Sequence, residues 1–111
     1  MGTLVRLKDV QQARGAPFFD RRELRTILAL YSERVAHGEW RDYAIDQQQR
    51  YAGFAVFHRA NDWPRYMIAK FRPGTYRQGD FVLFAGPVRL AHSRTIDGVL
   101  NKLRADLDAK R

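Results

Sequence analysis

The stretch from residue 59 to residue 79 is the part of the chain best suited to chemistry, because cationic and aromatic side chains are interleaved along it. Five cations stand against one acid, Asp62, and supply half of the net charge of +8. Arginine and lysine neutralise phosphates, and aromatic faces stack on bases for about 1–3 kcal/mol each. The alternative is a solvated hairpin whose arginine stems cover apolar surface. The pattern predicts a nucleic-acid-binding surface made of Arg59, Trp63, Arg65, Lys70, Arg72, Tyr76 and Arg77.

A second cluster of mixed chemistry occupies residues 40–43. Trp40 and Tyr43 could form an aromatic pocket in which Arg41 anchors an anion and Asp42 orients Arg41. The other interpretation is a helix-to-strand corner, with Trp40 closing the edge of the core and Arg41 and Asp42 paired locally. The second interpretation is favoured, since buried aromatic residues that also carry a polar group commonly close such corners.

Other combinations that could support catalysis or metal binding are not found in the sequence. His37, His58 and His92 have no metal-ligand spacing. Asp42 and Asp46 would lie about 13 Å apart on a strand, beyond the about 5–9.5 Å of glycosidase carboxylate pairs. There is no cysteine, no nucleophile elbow and no phosphate-binding glycine loop. The sequence therefore favours a non-enzymatic protein and predicts no catalytic residue, no metal and no cofactor.

Length and composition are those of one folded domain. The chain has 111 residues, of which 45% are hydrophobic and 13% aromatic, which argues against disorder. No apolar run approaches the about 20 residues that a membrane span needs. The absence of cysteine fits a reducing compartment, so we expect a cytoplasmic protein that does not bind membranes. Residues 1–17 are predicted to be an N-terminal arm, or a short strand plus linker, and residues 18–111 a single domain.

Two amphipathic helices flank the central part of the domain. Asp20 and Glu23 form a capping-box pattern, and Gly38 is suited to end the first helix, predicted over 21–37. Its apolar stripe is formed by Leu24, Ile27, Leu28, Tyr31 and Val35. A second helix closes the chain with a stripe of Ile96, Val99, Leu100, Leu103 and Leu107.

Strand-like runs fill the space between the helices, at 42–46, 51–59, 65–71, 81–85 and, as a short fifth strand, 88–92. Each helix must bury its stripe, and the sheet is the only large surface available. The sequence predicts an α+β fold of two layers, with both helices on one face of an antiparallel sheet of four to five strands, in the order α-β-β-β-β-α.

The sheet face away from the helices gives a second hypothesis for function. A face open to water should alternate cleanly between apolar and polar residues. The runs around Phe57 and Met67 carry apolar groups on both faces. The N-terminal arm, a second subunit or a ligand could cover the second face. The favoured partner is RNA or DNA, and the alternative is a protein-protein interaction module or a homodimeric accessory subunit that buries this face.

Four blocks of the sequence form a distinctive set, namely Phe18 to Leu24, the run from Gly38 to Asp46, and the blocks 55–59 and 64–70. Together they resemble a family of small alphaproteobacterial proteins, the domain of unknown function 2794. It extends over about residues 18–107. The resemblance implies a bacterial, cytoplasmic protein and provides no catalytic residue, substrate or cofactor to transfer to this chain.

Overall fold

The structure, a computed structural model, describes residues 15–59 and 63–110. Residues 1–14 of the predicted N-terminal arm lie outside the described residues. Five strands follow one helix and precede another. The elements are α1 (Arg21–Ala36), β1 (Asp42–Gln47), β2 (Tyr51–Phe57), β3 (Tyr66–Phe71), β4 (Phe81–Ala85), β5 (Val88–Ser93) and α2 (Ile96–Ala109).

The five strands form one sheet in the order β1-β2-β3-β4-β5, and every neighbouring pair is antiparallel. Connections this short allow only antiparallel neighbours, because parallel strands need a long crossover. Phe54 in β2 is paired with Ile45 on one side and with Ile68 on the other. The predicted α+β fold is confirmed, and the fifth strand is present.

One face of the sheet and both helices form a single buried cluster. Phe54 and Leu83 from the sheet belong to this cluster, together with Ile27 of α1 and Val99 and Leu103 of α2. The helix α2 packs on β4 and β5, and α1 packs against α2. Burial of these side chains provides about 1.5–3 kcal/mol each and fixes which sheet face the helices cover.

The ends of α1 follow the sequence pattern. The Asp20 carboxylate accepts a hydrogen bond from the Glu23 N–H, and the Glu23 side chain accepts from the Asp20 N–H, which completes the capping box. Gly38 has a φ of +75°, a conformation that a residue with a side chain adopts only with strain. The predicted boundaries of α1 are therefore confirmed to within one residue.

The buried face of α1 differs from the predicted stripe. Ile27 and Leu30 are the deepest apolar residues, whereas Val35 is 40% exposed, and Leu30 was not part of the predicted stripe. The reason is that two charged residues share the buried face, Glu23 and Arg34. Both are ion-paired, so a polar residue can occupy a position that a hydrophobic pattern would exclude.

Candidate nucleic-acid interface

The structure separates the predicted nucleic-acid-binding residues into two groups at opposite ends of β3. Arg59, Trp63 and Arg65 lie in the connection from β2 to β3, and Trp63 is 86% exposed. Arg72 and the residues after it follow the other end of the strand. An extended strand rises about 3.3 Å per residue, so Arg65 and Arg72 are separated by about 23 Å along the strand. The linear block is therefore not one compact surface.

Lys70 is already engaged by an acid inside the protein. Its ammonium lies 2.7 Å from Glu23 Oε1 and within 6 Å of the ring centres of Phe18 and Phe81. Both members of the ion pair are largely buried, and Glu23 is also part of the α1 capping box. Lys70 therefore ties β3 to the start of α1, and its charge is balanced within the fold.

A row of aromatic rings crosses the sheet near the second group. Tyr51 of β2 is opposite Phe71 of β3 in the strand register, and their ring centres are 5.4 Å apart. Phe71 makes an edge contact with Tyr76 at 5.1 Å, and Tyr76 makes one with His92 of β5 at 4.8 Å. All four rings are half-buried. The row thus presents aromatic surface to solvent while each ring is held by its neighbour.

Four arginines surround this row. Arg89 lies over the Tyr76 ring, 5.9 Å from its centre. The Arg94 guanidinium donates to the Arg77 carbonyl at 3.1 Å, and Arg72 Nε donates to a carbonyl of the β1–β2 turn at 3.2 Å. Arg77, Arg89 and Arg94 are exposed. We use the term basic aromatic surface for the four rings and the four arginines, Tyr51, Phe71, Tyr76, His92, Arg72, Arg77, Arg89 and Arg94.

The loop from β3 to β4 is held in shape by its own hydrogen bonds. The Asp80 carboxylate accepts from the backbone N–H groups of Gly74 and Tyr76, each at 2.8 Å. Gly79 has a φ of +122°, and a methyl group there would overlap the Ser93 backbone. A cavity of about 740 Å³ lies beside this loop, lined by Tyr76, Arg77 and Arg94 among others. The loop therefore presents its arginine and its ring in a preformed arrangement.

The carboxylates near the basic aromatic surface accept hydrogen bonds from groups within the protein. Asp46 accepts hydrogen bonds from the Tyr51 hydroxyl at 3.0 Å and from the Gln48 side chain at 2.6 Å. Burial, together with the hydrogen bond to Asp46, raises the pKa of Tyr51 above its ordinary value. Asp46 and Asp80 thus direct their carboxylates to neutral donors of the protein rather than to an arginine of the basic aromatic surface.

Residues 40–43 form a corner between α1 and β1. Trp40 is 4% exposed and belongs to the core cluster. Tyr43 stacks on Phe54 with ring centres 4.9 Å apart, and Asp42 accepts from the Tyr43 N–H at 2.8 Å. Arg41 is exposed and lines a shallow cavity of about 560 Å³ together with His58 and Arg59. Both the tryptophan and the tyrosine are thus occupied in packing.

Sequence reasoning missed a polar cluster between β3 and the end of α2. The Tyr66 hydroxyl donates to Asp106 at 2.5 Å, and Lys110 lies 3.3 Å from the same carboxylate. Burial and the bond to Asp106 raise the pKa of Tyr66 well above its usual value. The hydrogen bond from Tyr66, with a smaller contribution from Lys110, lowers the pKa of Asp106. Forty residues separate Tyr66 from Asp106, so no local spacing could have indicated this pair.

Within residues 15–59 and 63–110, no group of three histidine, cysteine or carboxylate residues is arranged to hold a metal ion. In the same residues, no helix is long and apolar enough to cross a membrane.

The fold and the surface together define a small α+β domain that carries a basic aromatic surface at one end of its sheet. Residues 17–90 match the family described as "Protein of unknown function (DUF2794)", and the chain belongs to this family. The predicted family resemblance is thereby confirmed. The match ends within β5, although α2 contributes the fully buried Val99 and Leu103 to the core. No curated protein and no solved structure matches the chain significantly.

Proposed function

We propose that this domain is a non-enzymatic binding module for single-stranded nucleic acid, RNA or DNA, and that the strand lies on the basic aromatic surface. The observation that carries the proposal is the row of four rings, Tyr51, Phe71, Tyr76 and His92, bordered by arginines. Aromatic faces stack on bases, and arginines bind the phosphates that connect those bases.

A single strand fits this surface better than a duplex does. Bases in a duplex are stacked on each other and cannot lie on side-chain rings, whereas unpaired bases can be splayed onto them. Phe71 and Tyr76 stand next to the cavity of about 740 Å³, which offers space for an unstacked base. Arg77 and Arg94 line the same cavity and would bind the adjoining phosphates.

The proposal keeps part of the block predicted from sequence. Arg72, Tyr76 and Arg77 belong to the surface, and Arg89 and Arg94 are added by the fold. Arg59, Trp63 and Arg65 would contact only a strand long enough to run the length of β3, about 20 Å. Binding of a short oligonucleotide should therefore depend on the basic aromatic surface and not on Arg59, Trp63 or Arg65.

The test is fluorescence anisotropy with labelled oligonucleotides of about five and about fifteen nucleotides. Arg72→Glu with Arg77→Glu should weaken binding of both by at least about tenfold, because two phosphate contacts become repulsive. The matched control is Arg21→Glu with Arg25→Glu, which makes the same charge change at exposed positions of α1. Equal losses in the two double variants would mean that only the net charge matters, and submicromolar affinity of the first variant would contradict the proposal.

A further inference from the structure

The strand β1 is an open edge of the sheet and differs from the opposite edge in how it is protected. Five of its six residues are exposed, and its register with β2 is regular over six pairs. The other edge, β5, has a register shift between Leu83 and Phe84 and is packed by α2. Bulges and covering helices are the usual protection of edge strands against pairing with another chain. Within the described residues, the register of β1 has no such shift, and α1 reaches the strand through the contact of Tyr31 with Tyr43, whose ring centres are 5.0 Å apart.

Apolar side chains are concentrated beside this edge. Val35, Tyr43 and Ile45 are 40%, 41% and 50% exposed, and they are three of the five large exposed hydrophobic residues of the described chain. Tyr43 and Ile45 lie on the side of β1 that faces the helices, and Val35 lies near the end of α1. An open edge strand with neighbouring apolar groups is typical of a surface that binds another strand.

We infer that β1 pairs with β1 of a second copy of this chain, in an antiparallel arrangement with Ile45 at the two-fold axis. Gln48 donates its N–H to Tyr51, and the register with β2 is regular from Asp42 to Gln47, so the backbone groups of Tyr43, Ile45 and Gln47 face outward. Just before the strand this alternation ends, because Arg41 donates its N–H to the Phe57 carbonyl of β2.

The charges along β1 argue against a neighbouring register. Opposite residues of an antiparallel pair share a face, so a two-fold axis falls on a residue. An axis at Ala44 would place Asp42 opposite the partner's Asp46, and these like charges would repel. An axis at Ile45 instead places Tyr43 opposite the partner's Gln47.

The overall charge favours the same surface. Residues 39–58 carry two arginines and three acids, whereas the whole chain has a net charge of +8. Two strongly cationic copies repel least where their own surface is not cationic. The β1 edge is therefore the place where a second copy can approach at low electrostatic cost.

The dimer would form one continuous sheet of ten strands. A two-fold axis between antiparallel edges stands perpendicular to the sheet, so both copies turn the same face to the same side. The two basic aromatic surfaces would then lie on one side of the dimer. Dimerisation rests on β1 alone, and it holds whether or not the chain binds nucleic acid.

Disulfide trapping tests the arrangement, because the chain has no cysteine of its own. Ile45→Cys places two thiols at the axis, where paired Cα atoms about 5.5 Å apart suit a disulfide. The matched control is Val88→Cys on the other edge strand, where the exposed fraction is 55%, similar to the 50% of Ile45. Under mild oxidation Ile45→Cys should give a covalent dimer and Val88→Cys should remain monomeric. Equal cross-linking of the two variants would overturn the inference.

Light scattering across a concentration series provides the second measurement. The unmodified chain should pass from monomer to dimer as its concentration rises, and Ile45→Lys should remain monomeric because two ammonium groups would meet at the axis. Circular dichroism spectra like those of the unmodified chain would establish that Ile45→Lys is folded. A monomer at every concentration, or a dimer that survives Ile45→Lys, would contradict the inference.

Discussion

The arginines of the basic aromatic surface predict how steeply nucleic-acid affinity should fall with salt. A single strand loses affinity with a logarithmic slope of about −0.7 for each phosphate that the protein neutralises. If all four arginines bind phosphates, the slope is about −2.8, and affinity falls about 50-fold between about 50 and 200 mM salt. For an oligonucleotide too short to reach Arg59 and Arg65, this value is the steepest slope expected, and it can be compared directly with a measured slope.

Removal of two of these charges should halve the slope. Arg77→Gln with Arg94→Gln removes two charges but keeps polar side chains, which are shorter than arginine, and leaves two arginines on the surface. The expected slope is about −1.4, and the loss over the same salt range is about sevenfold. The assay is a set of anisotropy titrations of a short labelled oligonucleotide at about five salt concentrations.

The control separates this surface from the remainder of the cationic chain. Arg21→Gln with Arg25→Gln removes the same charge from exposed positions of α1. This variant should retain the slope of the unmodified protein. The reasoning is refuted if the two double variants have the same slope, or if Arg77→Gln with Arg94→Gln leaves the slope unchanged.

Three further predictions concern the stability of the fold. Lys70→Met should lower the free energy of unfolding by about 2 kcal/mol in urea denaturation, because it leaves the largely buried Glu23 carboxylate without its cation. Gly79→Ala should lower the melting temperature clearly, since it combines a positive φ with overlap against the Ser93 backbone; an unchanged melting temperature would contradict the described loop. The pKa of Asp106 is lowered in the folded protein, so the stabilisation by its carboxylate is fully present above the ordinary Asp pKa of about 3.9. This stabilisation is lost as the pH falls through the pKa of the folded state. Asp106→Asn should therefore flatten the acid limb of a plot of unfolding free energy against pH.

Local patterns predicted the elements well because their causes are local. The capping box needs only Asp20 and Glu23 three residues apart, and the left-handed conformation of Gly38 needs only the absence of a side chain. Strand positions followed from the spacing of apolar residues and turn residues. The boundaries of β4 were predicted to the residue, and β5 extended one residue further than expected.

The rotation of α1 could not be predicted, because it depends on partners far away in the chain. A hydrophobic pattern assigns Glu23 and Arg34 to the solvent side of the helix. Lys70 on β3 provides the charge that allows Glu23 to be buried, and Glu33 and Glu39 do the same for Arg34. The pattern was misleading where a buried ion pair replaced an apolar contact.

The sequence by itself determined the element order, the antiparallel sheet and the excess of positive charge between residues 59 and 79. Only the tertiary structure decided how those charges are distributed. Extended β3 carries Arg65 and Arg72 to opposite ends of the sheet, and pairing of β4 and β5 brings Arg89 and His92 next to Tyr76. A surface assembled from side chains on three strands and two connecting segments is a consequence of sheet register, and register is set by the packing of the whole core.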